Sequence, residues 1–191
     1  MNRCCEPHLS FEVLTGDLVS VSLFDYSHLN SYEYFSWLHD IEVLKTLNLP
    51  EYINEPVKIE DLQKYCKRLW ASESDIFLAL TDVFDDIFIG TSRISKLNQY
   101  AGTADVGIMI GDRSFWGRGY ATEALRMICN HLFTKVRLRK LTAGAMANNH
   151  AMLSVFEKLG FVVEGKLRLQ DRLDDNYIDH FLLGCFREEF K

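Results

Sequence analysis

Apolar residues alternate with polar ones in some stretches of the chain and recur at helical spacing in others. Alternation or short apolar runs predict about seven strands, at 18–24, 76–80, 87–94, 104–110, 141–146, 161–169 and 177–186. Apolar residues three or four positions apart predict about four helices, at 25–40, 59–70, 121–133 and 149–159. The order is one strand, two helices, three strands, a helix, a strand, a helix and two strands. This order predicts a mixed α/β domain with one central sheet.

Turn signals fit between these elements without suggesting a domain boundary. Pro50 and Pro56 enclose a predicted loop at 47–57, and Gly160 follows the last predicted helix as a stop signal. An acidic turn at 171–176 joins the two closing strands. We therefore expect one domain over 1–191, with 1–10 as an irregular lead-in.

Composition and charge exclude several classes of protein. Hydrophobic residues make up 48% of the 191 residues and charged residues 25%, as in a soluble globular protein. The net charge of −6 gives no general basic footprint for a nucleic acid. We see no apolar run of signal-peptide or membrane-span length, so we expect a cytoplasmic protein without a membrane partner.

The cysteines and the acidic turn give no reason to expect a metal. The number of cysteines is odd and none is spaced as C-x-x-C, which favours reduced thiols over a disulfide framework or a zinc site. They are Cys4, Cys5, Cys66, Cys129 and Cys185. The turn D-R-L-D-D-N-Y at 171–177 lacks the pattern of a calcium loop. No metal site is predicted.

The strongest chemical signal is a glycine-rich stretch between a predicted strand and a predicted helix. Gly117 and Gly119 allow backbone N–H groups to approach a ligand closely. The first N–H groups of the helix that follows lack intrahelical partners and carry partial positive charge. Together they suit a pyrophosphate, although a tight turn without a ligand would have the same residues.

Two common nucleotide-binding motifs do not fit this stretch. The P-loop pattern G-x-x-x-x-G-K-[ST] is absent. The dinucleotide pattern fails because Thr122 takes its sixth position and no acidic residue lies between Glu123 and Glu157. Basic residues occupy that span instead, which favours a ligand with phosphates. They are Arg126, Lys135, Arg137, Arg139 and Lys140.

At this point the chain resembles the GNAT superfamily of N-acetyltransferases. Residues 116–124 read WGRGYATEA, similar to the form W-G-x-G-Y-A-T-E-A of the RimJ/RimL-type branch, which acetylates ribosomal-protein N-termini. Asn149 and the run V-F-E-K-L-G-F at 155–161 resemble the family's second motif. The resemblance covers about 83–190 well and 14–39 loosely, where W-L-H-D at 37–40 is similar to the branch's W-x-x-D.

The resemblance implies a GNAT fold: a mixed, mostly antiparallel sheet, splayed between its fourth and fifth strands, here 104–110 and 141–146. Acetyl-CoA would lie in that wedge as co-substrate, with its pantetheine arm along the backbone of the fourth strand. A backbone N–H near Met109 would stabilise the oxyanion, and Asn149 would hold the pantetheine or orient the thioester. The implied cofactor-binding residues are Ile108, Met109, Ile110, Trp116, Gly117, Arg118, Gly119, Tyr120, Ala121, Thr122 and Asn149.

The implied reaction is direct attack of a neutral primary amine on the thioester, which requires removal of a proton. Asp105 is the candidate base because the branch often has an acid there, and Tyr177 is the candidate on the last hairpin. Phe156 and Met152 replace a tyrosine and a serine that relatives use, so a dedicated acid is in doubt. Proton transfer through water, with catalysis mainly by positioning, stays open.

The partner is expected to be a small-molecule or peptide amine, with a homodimer possible. A protein N-terminus, a polyamine-like cation and an amino sugar or other small amine remain alternatives as acceptor. The acidic Glu51, Glu55 and Asp174 would suit a polycation but are typical of any exposed loop. A non-catalytic acyl-CoA-binding module of the same fold is the alternative to an enzyme.

Overall fold

The computed structural model describes residues 11–47, 49, 52 and 55–191. Cys4, Cys5 and the lead-in at 1–10 lie outside the described residues. So do Pro50 and Glu51 of the predicted loop. No helix of the described residues is long and apolar enough to cross a membrane.

One twisted sheet runs through the described chain, in the spatial order β1-β2-β3-β4-β5-β6-β8-β7. Neighbouring strands are antiparallel except β5 and β6, which are parallel. The strands are β1 Leu14–Thr15, β2 Val19–Leu23, β3 Ile76–Asp82, β4 Phe88–Asn98, β5 Thr103–Ile110, β6 Lys140–Met146, β7 Val162–Leu173 and β8 Asn176–Phe186. The mixed, mostly antiparallel sheet that we predicted is confirmed.

Helices cover both faces of the sheet. α5 and α6 pack on one face, in an apolar cluster that includes Leu125, Ile128 and Val106. α1 to α4 cover the other face, in a cluster that includes Trp37, Leu62 and Phe77. The helices are α1 Tyr26–Leu29, α2 Tyr32–Trp37, α3 Ile41–Leu47, α4 Ile59–Trp70, α5 Tyr120–Thr134 and α6 His150–Lys158, with short 3-10 helices at Arg113–Phe115 and Arg187–Glu189.

The predicted single helix at 25–40 is wrong. Three short helices lie between Tyr26 and Leu47, because polar side chains cap new helix starts within the predicted span. The Asp25 carboxylate accepts from the Ser27 N–H at 2.9 Å, and the Ser31 hydroxyl accepts from the Tyr34 N–H at 3.2 Å. Such local bonds compete with a continuous helix.

The sheet splays between β5 and β6. The two strands pair only at Thr103–Lys140, Ala104–Leu141 and Asp105–Thr142, and from Val106 onwards they separate. β5 still pairs with β4 up to Ile110. One backbone edge of β5 therefore faces an open wedge, as the predicted splay requires.

The closing hairpin is longer and less regular than predicted. β7 extends to Leu173 and β8 begins at Asn176, so the turn is confined to Asp174 and Asp175. The register shifts between Leu167 and Asp171, where β7 forms a bulge. Such a bulge re-aims nearby side chains.

Candidate functional site

The glycine-rich loop ends at the N-terminus of α5, which no side chain caps. Gly117 and Gly119 have φ values of +71° and +95°, in the left-handed region that favours glycine. The Glu123 N–H donates to the Gly119 carbonyl at 3.0 Å as the first bond of the helix. The amides at 120–122 therefore lack intrahelical acceptors and can bind an anion.

Buried polar contacts fix this helix start in place. The Tyr120 hydroxyl, almost fully buried, donates to the Asp82 carboxylate of β3 at 2.5 Å. Two backbone N–H groups, of Phe84 and Asp85, also donate to Asp82. The Tyr120 hydrogen bond lowers the pKa of Asp82, against the opposing effect of desolvation. The anchor ties the loop to the sheet.

A first cavity of about 420 Å³ joins this loop to the open edge of β5. Its walls come from the loop, the wedge strand and α6. The lining residues are Thr46, Ile108, Met109, Ile110, Phe115, Trp116, Gly117, Gly119, Tyr120, Ala121, Thr122, Asn149, Ala151, Met152, Ser154, Val155 and Lys158. Ten of the eleven residues predicted to bind the cofactor lie there, Arg118 being the exception.

Strand register decides which β5 amides face the wedge. The Gly111 N–H donates to the Ile89 carbonyl of β4 at 2.9 Å. Successive residues of a strand point their N–H groups to opposite sides, so Met109 also points towards β4. The amides of Ile108 and Ile110 face the wedge instead. The Ile110 carbonyl accepts the Trp116 indole N–H at 2.7 Å.

Asn149 and Arg118 have partners of their own. The Asn149 side-chain oxygen caps α6 by accepting from the Met152 N–H at 3.2 Å, which leaves its NH₂ group as the donor at the cavity. The Arg118 guanidinium instead lies over the rings of Phe115 and Tyr120, with centroid distances of 5.3 and 5.7 Å. Its side chain therefore packs on these rings, and Arg118 does not line the first cavity.

A second cavity of about 430 Å³ lies on the face covered by α1 to α4. It shares Thr46, Ile108, Met109, Asn149 and Met152 with the first, so the two meet at the wedge. Its other lining residues are Tyr34, Leu38, Leu47, Leu49, Tyr52, Asp61, Leu62, Tyr65, Phe77, Thr91, Arg93, Gly107, Gly144, Ala145 and Phe156. Aromatic walls and few charges suit a small organic molecule.

Arg93 is the cation of the second cavity. In register it lies between Phe77 of β3 and Gly107 of β5. Its Nη2 and Nε atoms both donate to one carboxylate oxygen of Asp75, at 2.7 and 3.1 Å. The side chain remains 38% exposed. The guanidinium therefore has further N–H donors for a ligand.

The two residues predicted as catalytic do not line either cavity. Asp105 lies at the closed end of the wedge, where it accepts the Thr142 hydroxyl at 2.8 Å. It shares a strand face with Gly107 and Met109, which do line the second cavity. Tyr177 is 64% exposed near the tip of the β7–β8 hairpin. The roles given to both stay predictions.

The thiols of the described chain are poor nucleophiles. Burial raises the pKa of Cys66 to about 12 and that of Cys185 to about 11. Burial also raises the pKa of Cys129. A covalent acyl-cysteine route therefore has no support from these residues. The described residues also contain no group of three or more side chains suited to a metal ion.

Comparison with known proteins identifies the family. A family model described as "Acetyltransferase (GNAT) domain" matches residues 22–162. The chain belongs to the GNAT acetyltransferase family. Its wedge, glycine loop and sheet order are thus the family's architecture, and the fold class that we predicted is confirmed.

Similar GNAT proteins differ in their acceptors. A probable N-acetyltransferase of Bacillus subtilis, YjcK, is 29% identical over 78% of this chain and 81% of its own. The ribosomal-protein-serine acetyltransferase of Escherichia coli is 24% identical over 71% and 74%. A spermidine N-acetyltransferase of Vibrio cholerae, solved with CoA and spermine, has a TM-score of 0.80, 15% identity, and coverage of 91% and 98%. The family allows protein and polyamine acceptors alike.

Sequence reasoning found the loop of this GNAT domain but missed much of the second cavity. Arg93 and Tyr65 belong to no sequence motif, because they lie on separate elements, β4 and α4, that come together only in the folded chain. Lys158 stood unnoticed inside the E-K-L-G-F motif, although it lines the first cavity. It is the last residue of α6, and its cationic side chain could have suggested a phosphate partner.

Proposed function

We propose that this protein transfers the acetyl group of acetyl-CoA to a primary amine through a ternary complex. One observation carries the proposal: the first cavity joins an uncapped helix N-terminus to the unpaired edge of β5. The helix terminus suits a pyrophosphate, and the strand edge suits the amides of a pantetheine arm, which would add to it like a strand. Because one cavity is lined by both parts, a single extended ligand could contact them together.

If the pyrophosphate and the pantetheine arm bind in this way, the thioester lies at the junction of the two cavities. The amine would approach from the second cavity and attack the carbonyl carbon. The negative charge that develops on the carbonyl oxygen would be held by an amide that faces the wedge. We assign that role to Ile108 or Ile110 in place of Met109, whose N–H points towards β4.

Phe156 takes the position from which a hydroxyl could donate a proton to the leaving thiolate. Phe156 is buried and offers no proton, and Met152 offers none where the two cavities meet. Water or the protonated base would therefore supply the proton. Catalysis rests mainly on holding the amine against the thioester.

For the acceptor, we favour a compact amine whose body carries a neutral or anionic oxygen group. Asp61 is the one carboxylate among the described lining residues of the second cavity, and Lys64 lies 3.1 Å from it. Arg93 places a cation in the same walls. Arg93 is paired with Asp75 as Asp61 is with Lys64, so the described walls carry no excess of negative charge. Such walls disfavour a spermine-like polycation, in contrast to the relative from Vibrio cholerae.

We also place the protein in the RimJ/RimL-type branch, on the strength of WGRGYATEA at 116–124. The branch does not by itself fix the acceptor. A free peptide N-terminus and an amino sugar both offer a primary amine beside oxygen acceptors for Arg93. Both classes therefore belong in the test.

The test is release of free CoA thiol by purified protein with acetyl-CoA and a panel of amines. The panel contains an amino-sugar phosphate, a dipeptide with a free N-terminus, and spermidine. We expect turnover with at least one of the first two and a lower kcat/KM for spermidine. CoA binding without turnover on any amine would favour the non-catalytic module. Spermidine as the best substrate would contradict the acceptor class alone.

A further inference from the structure

A histidine–carboxylate pair lies on the closing hairpin, outside the residues already given a role. The His180 Nδ1 atom of β8 lies 2.6 Å from the Asp171 Oδ2 atom of β7. The Asp171 side chain is 2% exposed and that of His180 is 22% exposed. One end of the imidazole is thus held by a buried carboxylate, and the ring retains access to solvent.

The bulge in β7 builds this pair. Leu167 pairs with His180 and Asp171 pairs with Ile178, so residues 168–170 of β7 face only Asp179 of β8. Leu169 has a φ of +52°, and its N–H donates to the Asp179 carboxylate at 2.9 Å. A leucine in the left-handed region is unfavourable. The hairpin maintains this conformation, and in doing so brings Asp171 to the ring.

The free end of the imidazole lies against Gly144 of β6, a residue at the edge of the second cavity. A Cβ atom built on Gly144 would lie 2.5 Å from His180 Nε2, so the ring occupies the space that a side chain would fill. Gly144 itself lines the second cavity, as does Gly107 on the other side of the wedge. A Cβ on Gly107 would meet no atom within 4 Å. At these two positions the wall of the cavity therefore carries no side chain of its own.

Hydrogen bonding to the carboxylate fixes the chemistry of the ring. A neutral imidazole whose Nδ1–H donates to Asp171 has its lone pair on Nε2. Nε2 lies beside Gly144, which lines the cavity where the amine is proposed to bind. An imidazolium that forms there would be stabilised by the same carboxylate.

We propose that His180 is the general base that deprotonates the acceptor ammonium, with Asp171 as its positioning residue. The inference rests on the proposed function. Nε2 takes one proton from the ammonium, directly or through one water, and the neutral amine attacks the thioester. The C–N bond forms, the tetrahedral adduct collapses with cleavage of the C–S bond, and the amide nitrogen loses a second proton. The thiolate takes up one proton and the other passes to solvent.

Few other charged groups surround the ring. On β7, besides Asp171, the nearby charges in sequence are Lys166, Arg168 and Arg172. Lys166 pairs with Asp179 of β8 at 2.9 Å, and the Arg172 side chain donates to the Asp174 carbonyl at 3.2 Å. On β6 the facing residues, Gly144 and Met146, do not titrate. Within the part of the chain that the structure describes, Asp171 is thus the charged residue that hydrogen-bonds to His180.

The test compares His180→Asn with the wild-type protein. The asparagine amide can still donate to Asp171 but offers no base at the Nε2 position. We expect kcat/KM for the amine to fall by about 10²- to 10⁴-fold, with an unchanged Kd for CoA. The acidic limb of the pH profile that belongs to His180 should disappear, and external imidazole should restore activity to His180→Gly. Asp171→Asn should give a smaller loss.

His131→Asn is the matched control. His131 lies on α5, remote from the wedge, and it also pairs with a carboxylate, that of Glu12, at 3.1 Å. Its kcat/KM should equal that of the wild type. Unchanged kcat/KM and pH profile in His180→Asn would overturn the dyad alone, whereas wild-type protein without turnover would sink the proposed function. Ring nitrogen NMR of the wild type needs no variant: a neutral ring protonated on Nε2 would also overturn the dyad.

Discussion

At the scale of single residues, the donor site depends most on Gly119. Its φ of +95° costs any L side chain roughly 1–2 kcal/mol. The space beside it is not the obstacle, since the first neighbour of a built Cβ, in Leu18, lies at 3.5 Å. Backbone conformation, and with it the aim of the loop amides, is therefore what a substitution would disturb.

We expect Gly119→Ala to raise the Kd for CoA about tenfold and Gly119→Glu to abolish binding, because a carboxylate would enter the pyrophosphate site. Titration calorimetry with CoA measures both. Gly165→Ala is the control, since Gly165 does not have a positive φ and a Cβ there makes ordinary contacts at 3.6 Å. Unchanged affinity of Gly119→Glu for CoA would show that the cofactor does not bind at this loop.

Arg93 tests the acceptor at the same scale. Arg93→Gln removes the cation from the second cavity and should raise KM at least tenfold for amines that carry an anionic group. KM for acetyl-CoA should stay the same, and spermidine should lose nothing. Arg126→Gln is the control, because Arg126 is an exposed arginine on α5 that donates to the Lys191 carbonyl. An equal rise for all amines would argue for a structural role of the Arg93–Asp75 pair.

At the scale of elements, the sequence predicted well where one signal dominated. The strands near 104–110 and 141–146 are mostly apolar, and α5 has an apolar face over four turns, so all three were predicted close to their bounds. The helix at 25–40 was predicted wrongly because apolar spacing outweighed Asp25 and Ser31, which cap new helices. Capping energies of ~1 kcal/mol each decide such boundaries.

The donor loop was predictable because its chemistry is local, whereas the acceptor cavity was not. Glycines, helix start and loop amides are adjacent in sequence at 116–122. Tyr65, Arg93 and Gly144 come from three separate elements and meet only through sheet register. The pairing of Asp171 with His180 depends on a bulge that no sequence pattern marked.

The hydrogen bond between Tyr120 of α5 and Asp82 of β3 predicts how stability depends on pH. Tyr120→Phe removes the hydroxyl that keeps the pKa of Asp82 below its ordinary value of 3.8. A lowered folded-state pKa contributes stability above pH 3.8, and that contribution is lost as the pH falls towards the lowered value. We therefore expect Tyr120→Phe to lower Tm by a few degrees at pH 7. The gap in Tm between variant and wild type should be smaller below pH 3.8.

Thermal unfolding followed by circular dichroism across pH 2 to 8 (about the accessible range) measures that gap. Tyr100→Phe is the control, since Tyr100 is fully exposed and should show the wild-type Tm throughout. A gap for Tyr120→Phe that stays constant with pH would show that packing, and not the bond to Asp82, accounts for the loss.

At the scale of the whole molecule, helices cover the two faces of the sheet unequally. On the face that carries α1 to α4, none of these helices forms a major contact with β6, β7 or β8. Antiparallel partners share a face, so the pairing of Val162 with Gly184, and of Leu167 with His180, puts both apolar side chains on the face of Leu182. All three are at least 40% exposed. Apolar side chains grouped in this way are typical of an interaction surface.

We predict that a second copy of the chain covers this surface in a homodimer. Light scattering should give twice the chain mass of 22.1 kDa. Leu182→Glu would place a charge in the apolar strip, and the mass should fall to that of one chain because burying an unpaired carboxylate is costly. Tyr100→Glu, on an exposed turn remote from the strip, should stay dimeric.

A monomeric wild type would refute the dimer, and a dimeric Leu182→Glu would place the interface elsewhere. Because His180 shares this face, CoA release by the monomeric variant would further show whether the acceptor side of the site is complete within one chain.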